Sequence, residues 1–133
     1  MTHLLDVNAL LALLWEKHEH NERMWRWMDG AEAVALCPLT ELGFIRISTQ
    51  PVFGASVEQA RKMLADYKAA KKPRFIPCNV ETLKTAAPKN GRQTTDFYLA
   101  SLAAAHGMKL ATLENDLGHP AAFTIPGPNK LEG

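Results

Sequence analysis

Apolar positions along the chain fall into short blocks whose spacing alternates between strand and helix periods. Residues 3–7 (His-Leu-Leu-Asp-Val) predict a strand at the very start. Residues 8–17 are apolar nearly all round, which predicts a helix buried against a sheet. A second helix over 19–28 sets Met24, Trp27 and Met28 at core spacing and closes at Asp29-Gly30. Residues 33–37 predict a second strand, stopped by Pro38. Thr40 is the expected cap of a helix to about residue 49, and Ser56 of another to about residue 72, ended by Pro73. A third strand is expected at 75–78, a helix at 80–87 and a loop at 88–93. Thr94 reads as the N-cap of a helix ending at His106-Gly107, followed by strands at 108–112 and 123–125 and a Pro/Gly-rich tail.

Strands alternating with helices imply an α/β fold with a mainly parallel sheet flanked by helices on both faces. At 133 residues, 47% hydrophobic and 22% charged, the chain reads as a single domain over residues 1–133. It can bury a core without disulfides or a structural metal. Cys37 and Cys78 show no ligand spacing and sit in apolar runs, so both are expected to be buried free thiols of a cytoplasmic protein. The longest apolar run, residues 9–15, is far short of the roughly 20 residues needed to span a membrane, and its charged flanks do not fit an export signal.

Net charge is only +1, but it is uneven. Residues 1–55 carry four basic and seven acidic side chains, whereas residues 56–74 carry six basic and two acidic. The basic set Arg61, Lys62, Lys68, Lys71, Lys72 and Arg74 is either a solvated helix face or a grip on an RNA backbone.

Ligands of parallel α/β sheets bind at the carboxyl ends of the strands, and that end collects the acids. Asp6 ends the first strand, Glu41 opens the helix after the second, and Asp96 opens the helix after the 88–93 loop. Glu114 follows Thr112 by two residues and Asp116 lies two further on. Asp96, Leu99, Ala100, Ala103 and His106 share one helix face, so the Asp96 carboxylate heads an apolar stripe and points inward. Each acid also has a plainer reading: Asp96 as a first-turn acid favoured by the helix dipole, Asp6 as a helix cap, Glu41 as an exposed first-turn acid. If they converge, each pair about 5 Å apart repels by about 3 kcal/mol at an effective dielectric near 20. A hard divalent cation offsets such repulsion and supports in-line displacement at phosphorus.

These stretches carry a resemblance. Leu4-Leu5-Asp6-Val7-Asn8, Pro38-Leu39-Thr40-Glu41-Leu42-Gly43-Phe44-Ile45-Arg46, and Thr95-Asp96-Phe97-Tyr98-Leu99-Ala100 leading into His106-Gly107-Met108-Lys109-Leu110-Ala111-Thr112 together resemble the PIN-domain ribonucleases, and among them the VapC-type toxins of bacterial toxin–antitoxin pairs. The resemblance implies a PIN-like three-layer fold, Mg²⁺- or Mn²⁺-dependent endoribonuclease activity on RNA, a homodimer, and neutralisation by a small antitoxin protein. It assigns the catalytic metal site to Asp6, Glu41 and Asp96. The family's usual fourth acid is an Asp where this chain has Glu114, whose carboxylate is displaced by about one bond, roughly 1.5 Å. Either Glu114 reaches the metal through a water, the expectation adopted here, or Asp116 takes the place. That departure motivates an alternative: a PIN-like module that binds RNA or a protein partner without cleavage. A phospho-accepting receiver domain is set aside, because it wants paired acids after the first strand and the chain has Asp6 alone.

The remaining polar residues read as follows. Asn8 orients Asp6 or a metal-bound water, or caps a helix; Thr112 orients a carboxylate or closes its strand. Arg46, five residues past Glu41, points elsewhere on its helix and reads as structural pairing rather than a phosphate contact. His18-Glu19-His20 has no third ligand at metal spacing and reads as a solvated turn. His106 suits a helix C-terminus, and His119 reads as loop surface. Trp25 lies off the Met24/Trp27/Met28 stripe, either packed in the core or exposed for a partner groove.

Overall fold

The structure, a computed structural model, describes residues 1–30 and 33–127; most of the expected Pro/Gly-rich tail lies outside them. Five strands form one sheet: β1 (Thr2–Leu5), β2 (Ala33–Leu36), β3 (Arg74–Phe75), β4 (Lys109–Thr112) and β5 (Ala122–Thr124). Their order is β3-β2-β1-β4-β5, and every pairing among the described residues is parallel. Five helices connect them: α1 (Val7–Leu14), α2 (Asn21–Gly30), α3 (Pro38–Ser48), α4 (Val57–Lys71) and α5 (Thr94–Ala105). No helix among the described residues is long and apolar enough to cross a membrane.

Alternation along the strands divides the core in two. Leu5, Val34, Leu36 and Ala111 face one side, where α1 to α4 pack around Leu10, Leu13, Met24 and Phe44. Leu4, Ala35, Cys37 and Leu110 face the other, against Leu99, Ala103 and the rest of α5. The result is the expected three-layer arrangement, with the helices divided unequally. β1 is central and buried on both faces, which fixes its carboxyl end, and Asp6 with it, in the middle of the molecule.

Several local expectations are corrected. α1 stops at Leu14 rather than continuing to residue 17: Trp15 turns extended, its indole donates to Ser48 Oγ (2.9 Å), and Asn21 Nδ2 takes the freed carbonyls of Ala12 and Leu13. α3 starts at Pro38, with Cys37 rather than Thr40 as the flanking residue. Proline at the first helical position is preorganised for a helix start, and Thr40 is left free to donate to the Leu5 carbonyl (3.0 Å). Ser56 does cap α4, in a reciprocal box with Gln59. Thr94 is the first residue of α5 rather than its cap, its hydroxyl donating to Gly91 O (2.8 Å) across the single 3-10 turn Gly91–Gln93. The helix expected at 80–87 reduces to the 3-10 turn Thr82–Lys84. Leu83 there is 98% exposed, so the segment has no apolar face to bury, and helices this short are not stable without one. β3 is only two residues long, so Cys78 lies beyond the sheet and is exposed, while Cys37 is buried.

The middle of α3 is pressed against the start of α1. A Cβ at Gly43 would lie 2.6 Å from Val7 Cγ2 and 3.2 Å from Cγ1. Valine in a helix holds essentially one rotamer, so the side chain cannot swing away. Gly43→Val is therefore expected to lower stability by about 1–3 kcal/mol through overpacking, read as a lower denaturation midpoint. Val7→Ala in the same protein should recover part of the loss; no recovery would mean that the close approach is not the cause.

Candidate active site

The sheet delivers three acids to one place. Asp6 follows β1 directly and is 1% exposed. Its Oδ1 accepts from the Val7 amide (2.7 Å), so the capping role is real, but Oδ2 is buried with no hydrogen-bond partner. Asp96 sits in the first turn of α5, half-buried. Glu114 follows β4, the strand paired to β1. All three carboxyls are held above their ordinary range. Burial is the largest cause for Asp6, and the Glu114 charge adds to it, against the opposing effects of the Thr112 hydroxyl, the Val7 amide and Asp96. Asp96 is pushed up to about 6, by burial and then by the charge of Asp6. Glu114 is raised by burial and by Asp96, with Arg92 acting against the rise.

Thr112 and Asn8 brace this cluster. Thr112 Oγ1 accepts from Asn8 Nδ2 (3.2 Å) and from the Glu114 amide (3.1 Å), and Asn8 Oδ1 accepts from the Leu113 amide (3.1 Å). Asn8 thus neither caps a helix nor touches Asp6; it ties α1 to the end of β4 and sets Thr112 beside Asp6.

The other candidates separate. Glu41 lies at the same end of the sheet, brought there by the Thr40–Leu5 bond, but its carboxylate accepts from Lys68 Nζ at 2.5 Å and it is not among the groups that shift the other three acids. Asp116 is exposed; its charge reaches Glu114 but is not among the influences on Asp6 or Asp96. Arg46 is exposed in the last turn of α3. His18 and His20 form a turn in which the His20 amide donates to His18 Nδ1 (3.0 Å), and His106 ends α5 against Asn79 (2.9 Å). His119 is structural rather than loop surface: Nδ1 accepts from the Ala121 amide and Nε2 bonds Ser101 Oγ, both at 3.0 Å. Trp25 is exposed. Sequence reasoning missed Arg92, which lies in the 3-10 turn before α5 and acts on Glu114, 22 positions along the chain, a pairing no local spacing signals.

Whether these residues suit a divalent cation rests on their own chemistry. No group of three or more His, Cys, Asp or Glu side chains among the described residues is arranged to hold a metal as it stands. Asp96 and Glu114 instead influence each other's protonation. Yet the donor set is entirely carboxylate oxygen, as Mg²⁺ and Mn²⁺ prefer. Asp6 Oδ2 is a buried acceptor without a donor, an arrangement costing about 1–3 kcal/mol unless something satisfies it. The residues fit a hard cation.

The raised carboxyls make a pH prediction with a definite sign. A carboxyl whose folded pKa exceeds its unfolded value binds protons more tightly when folded, so stability is present at low pH and lost as pH rises through the folded value. For Asp96 that window runs from its ordinary 3.8 to about 6. In EDTA, wild type should lose melting temperature relative to Asp96→Asn between pH 4 and 6.5; a constant difference across that range would contradict the shift.

Comparisons agree with the geometry. The PIN domain family model matches residues 3–122. Ribonuclease VapC38 of Mycobacterium tuberculosis is 38% identical over 118 residues, covering 84% of this chain and 84% of that protein. Ribonuclease VapC44 of the same organism is 34% identical over 139 aligned positions, covering 98% of this chain and 96% of that protein. Among solved structures, VapBC2 from Rickettsia felis, bound to a DNA fragment from their promoter, superposes with a TM-score of 0.60 at 12% identity over 93% of this chain and 97% of the other. FitAB bound to the IR36 DNA fragment gives 0.59 at 22% identity over 86% and 85%. Those two share the fold. With the family model covering β1 to β4 almost entirely and all three clustered acids, the chain belongs to the PIN-domain family, among its VapC-type ribonucleases.

Proposed function

We propose that the protein is a divalent-cation-dependent endoribonuclease, the toxin of a two-protein toxin–antitoxin module, hydrolysing RNA phosphodiesters at Asp6, Asp96 and Glu114 in the cytoplasm. One observation carries the reading: three buried or half-buried carboxyls of raised pKa meet where β1, β4 and α5 converge, and one of their oxygens is unsatisfied. Bound there, Mg²⁺ or Mn²⁺ would supply charge neutralisation at the phosphate and an activated water. Asp6 and Asp96 would hold it, and Glu114, one carbon longer than the family's usual Asp, would act on it from further out.

The chain's own groups do the rest. Asp6 is anchored through Oδ1 by the Val7 amide, which leaves Oδ2 for the cluster. Thr112, held by Asn8, favours the ionised form of Asp6. Arg92 favours the ionised form of Glu114. Asp96, near 6, is the group that gives up its proton as pH approaches neutrality. Glu41 is held by Lys68.

RNA is the substrate, a small antitoxin protein the regulating partner, and a homodimer the working unit; the relatives named ribonuclease support the first. The engagement of Glu41 by Lys68 favours one second reading, RNA or partner binding without cleavage. A fluorescent RNA incubated with Mn²⁺, and in parallel with EDTA, distinguishes them: internal cuts that need the cation are expected, while folded protein that binds RNA and leaves it intact would select the second reading.

A further inference from the structure

We propose that the outer face of α4 and the edge strand β3 form the track for a single-stranded segment of RNA, with Arg61 and Lys68 on its phosphates and Phe75 under one of its bases. The inference deepens the ribonuclease reading and rests on it for the identity of the polyanion.

Charge is the first observation. Residues 56–74 carry six basic and two acidic side chains in a protein whose net charge is only +1. They are not scattered. Ala60, Leu64 and Tyr67 turn inward, and helical spacing then sets Arg61, Ala65 and Lys68 in one line along another face. One of the two acids, Asp66, is already paired to Lys62 (2.9 Å).

The line reaches the acid end of the sheet. Lys68 Nζ bonds Glu41 Oε2, and a groove of about 540 Å³ between α3 and α4 runs from that pair past Leu42 and Ile45 to Arg61. An ammonium has three donors; with one given to Glu41, Lys68 keeps two for a phosphate. Glu41 is mostly buried and Lys68 half-buried, whereas the other ion pairs described among these residues are more exposed.

Exposed rings supply the third observation. Phe75 is 53% exposed on the sheet edge, with Lys68 Nζ 5.0 Å from its centroid. One helical turn on, Lys71 lies 5.9 Å from the centroid of Trp25, 39% exposed. Cations alternating with open aromatic faces are how proteins hold single-stranded nucleic acid. A protein partner fits less well: lysine is depleted from protein interfaces, and β3, two residues long between Pro73 and Pro77, offers little ladder for an added strand.

Binding is separated from cleavage by working in EDTA. Anisotropy of a fluorescein-labelled, unstructured oligoribonucleotide of about a dozen nucleotides is the measurement, on proteins with matched melting temperatures. Phe75→Ala should weaken binding about tenfold and Phe75→Trp should retain it. Arg61→Gln should reduce the slope of log affinity against log salt by about 1. Lys109→Gln, which removes an exposed lysine from the opposite end of the sheet, should do neither. If wild type binds no RNA, or if Phe75→Ala and Arg61→Gln match wild type in affinity and salt slope, the track is overturned, the latter result leaving the ribonuclease reading intact when wild type still cuts with Mn²⁺. If wild type binds through Phe75 and Arg61 but never cuts, the track stands and the ribonuclease reading falls.

Discussion

Asp96→Asn protein is expected to lose RNA cleavage by about three orders of magnitude while melting higher than wild type in EDTA at pH 7.5. The two halves share one cause. At that pH the Asp96 carboxyl, near 6, has lost its proton and stands charged beside Asp6 and Glu114. Asparagine keeps the shape, removes the charge and relieves the repulsion, a gain on the order of 1 kcal/mol, or about 4 °C for a chain of this length. The same neutralisation weakens the hold on a cation whose charge stabilisation is worth several kcal/mol to the reaction, and about 4 kcal/mol is three decades in rate. Cleavage rates with Mn²⁺ and melts in EDTA check both halves. An active Asp96→Asn protein would remove this acid from the chemistry; an inactive one that melts far lower would mark it as structural.

The second large effect separates Glu114 from Asp116. Glu114 exchanges hydrogen-bonding influence with Asp96 and feels Arg92, whereas Asp116 is exposed and touches the cluster only through its charge on Glu114. Residues that act on a metal through an intervening water typically change affinity or activity by about 10–100-fold. Glu114→Gln should fall in that range, less severe than Asp96→Asn, and should recover in part as Mn²⁺ is raised. Asp116→Asn should stay within about twofold of wild type. A dead Asp116→Asn beside an active Glu114→Gln would reverse the assignment.

Much of this was legible in the chain before its structure. Asp6 and Asp96 announced themselves through placement: one ends an apolar strand, the other heads an apolar helix stripe, and a parallel sheet brings those ends together. The Ser56 cap was readable because its partner Gln59 stands at the required spacing. What failed was tertiary. Thr40 looks like a cap from its neighbours, but Pro38 can start a helix and Leu5 O offers the hydroxyl a better partner. Residues 80–87 have helical composition, but only Val80 at their start packs against the core, and Leu83 stays exposed. Glu41 has the family's position, yet its carboxylate follows Lys68, 27 residues away, a pairing that no local pattern encodes. His119 was misjudged because its partners, Ser101 and Ala121, depend on where α5 and β5 dock.

The central claim is that Asp6, Asp96 and Glu114 form one hard-cation site. Crystals soaked in Mn²⁺ at pH 7.5 and measured for anomalous scattering test it most directly. The account predicts a peak in contact with Asp6 Oδ2 and an Asp96 oxygen, with Glu114 joined through a water. An unsatisfied Asp6 Oδ2 and manganese bound only elsewhere would contradict it.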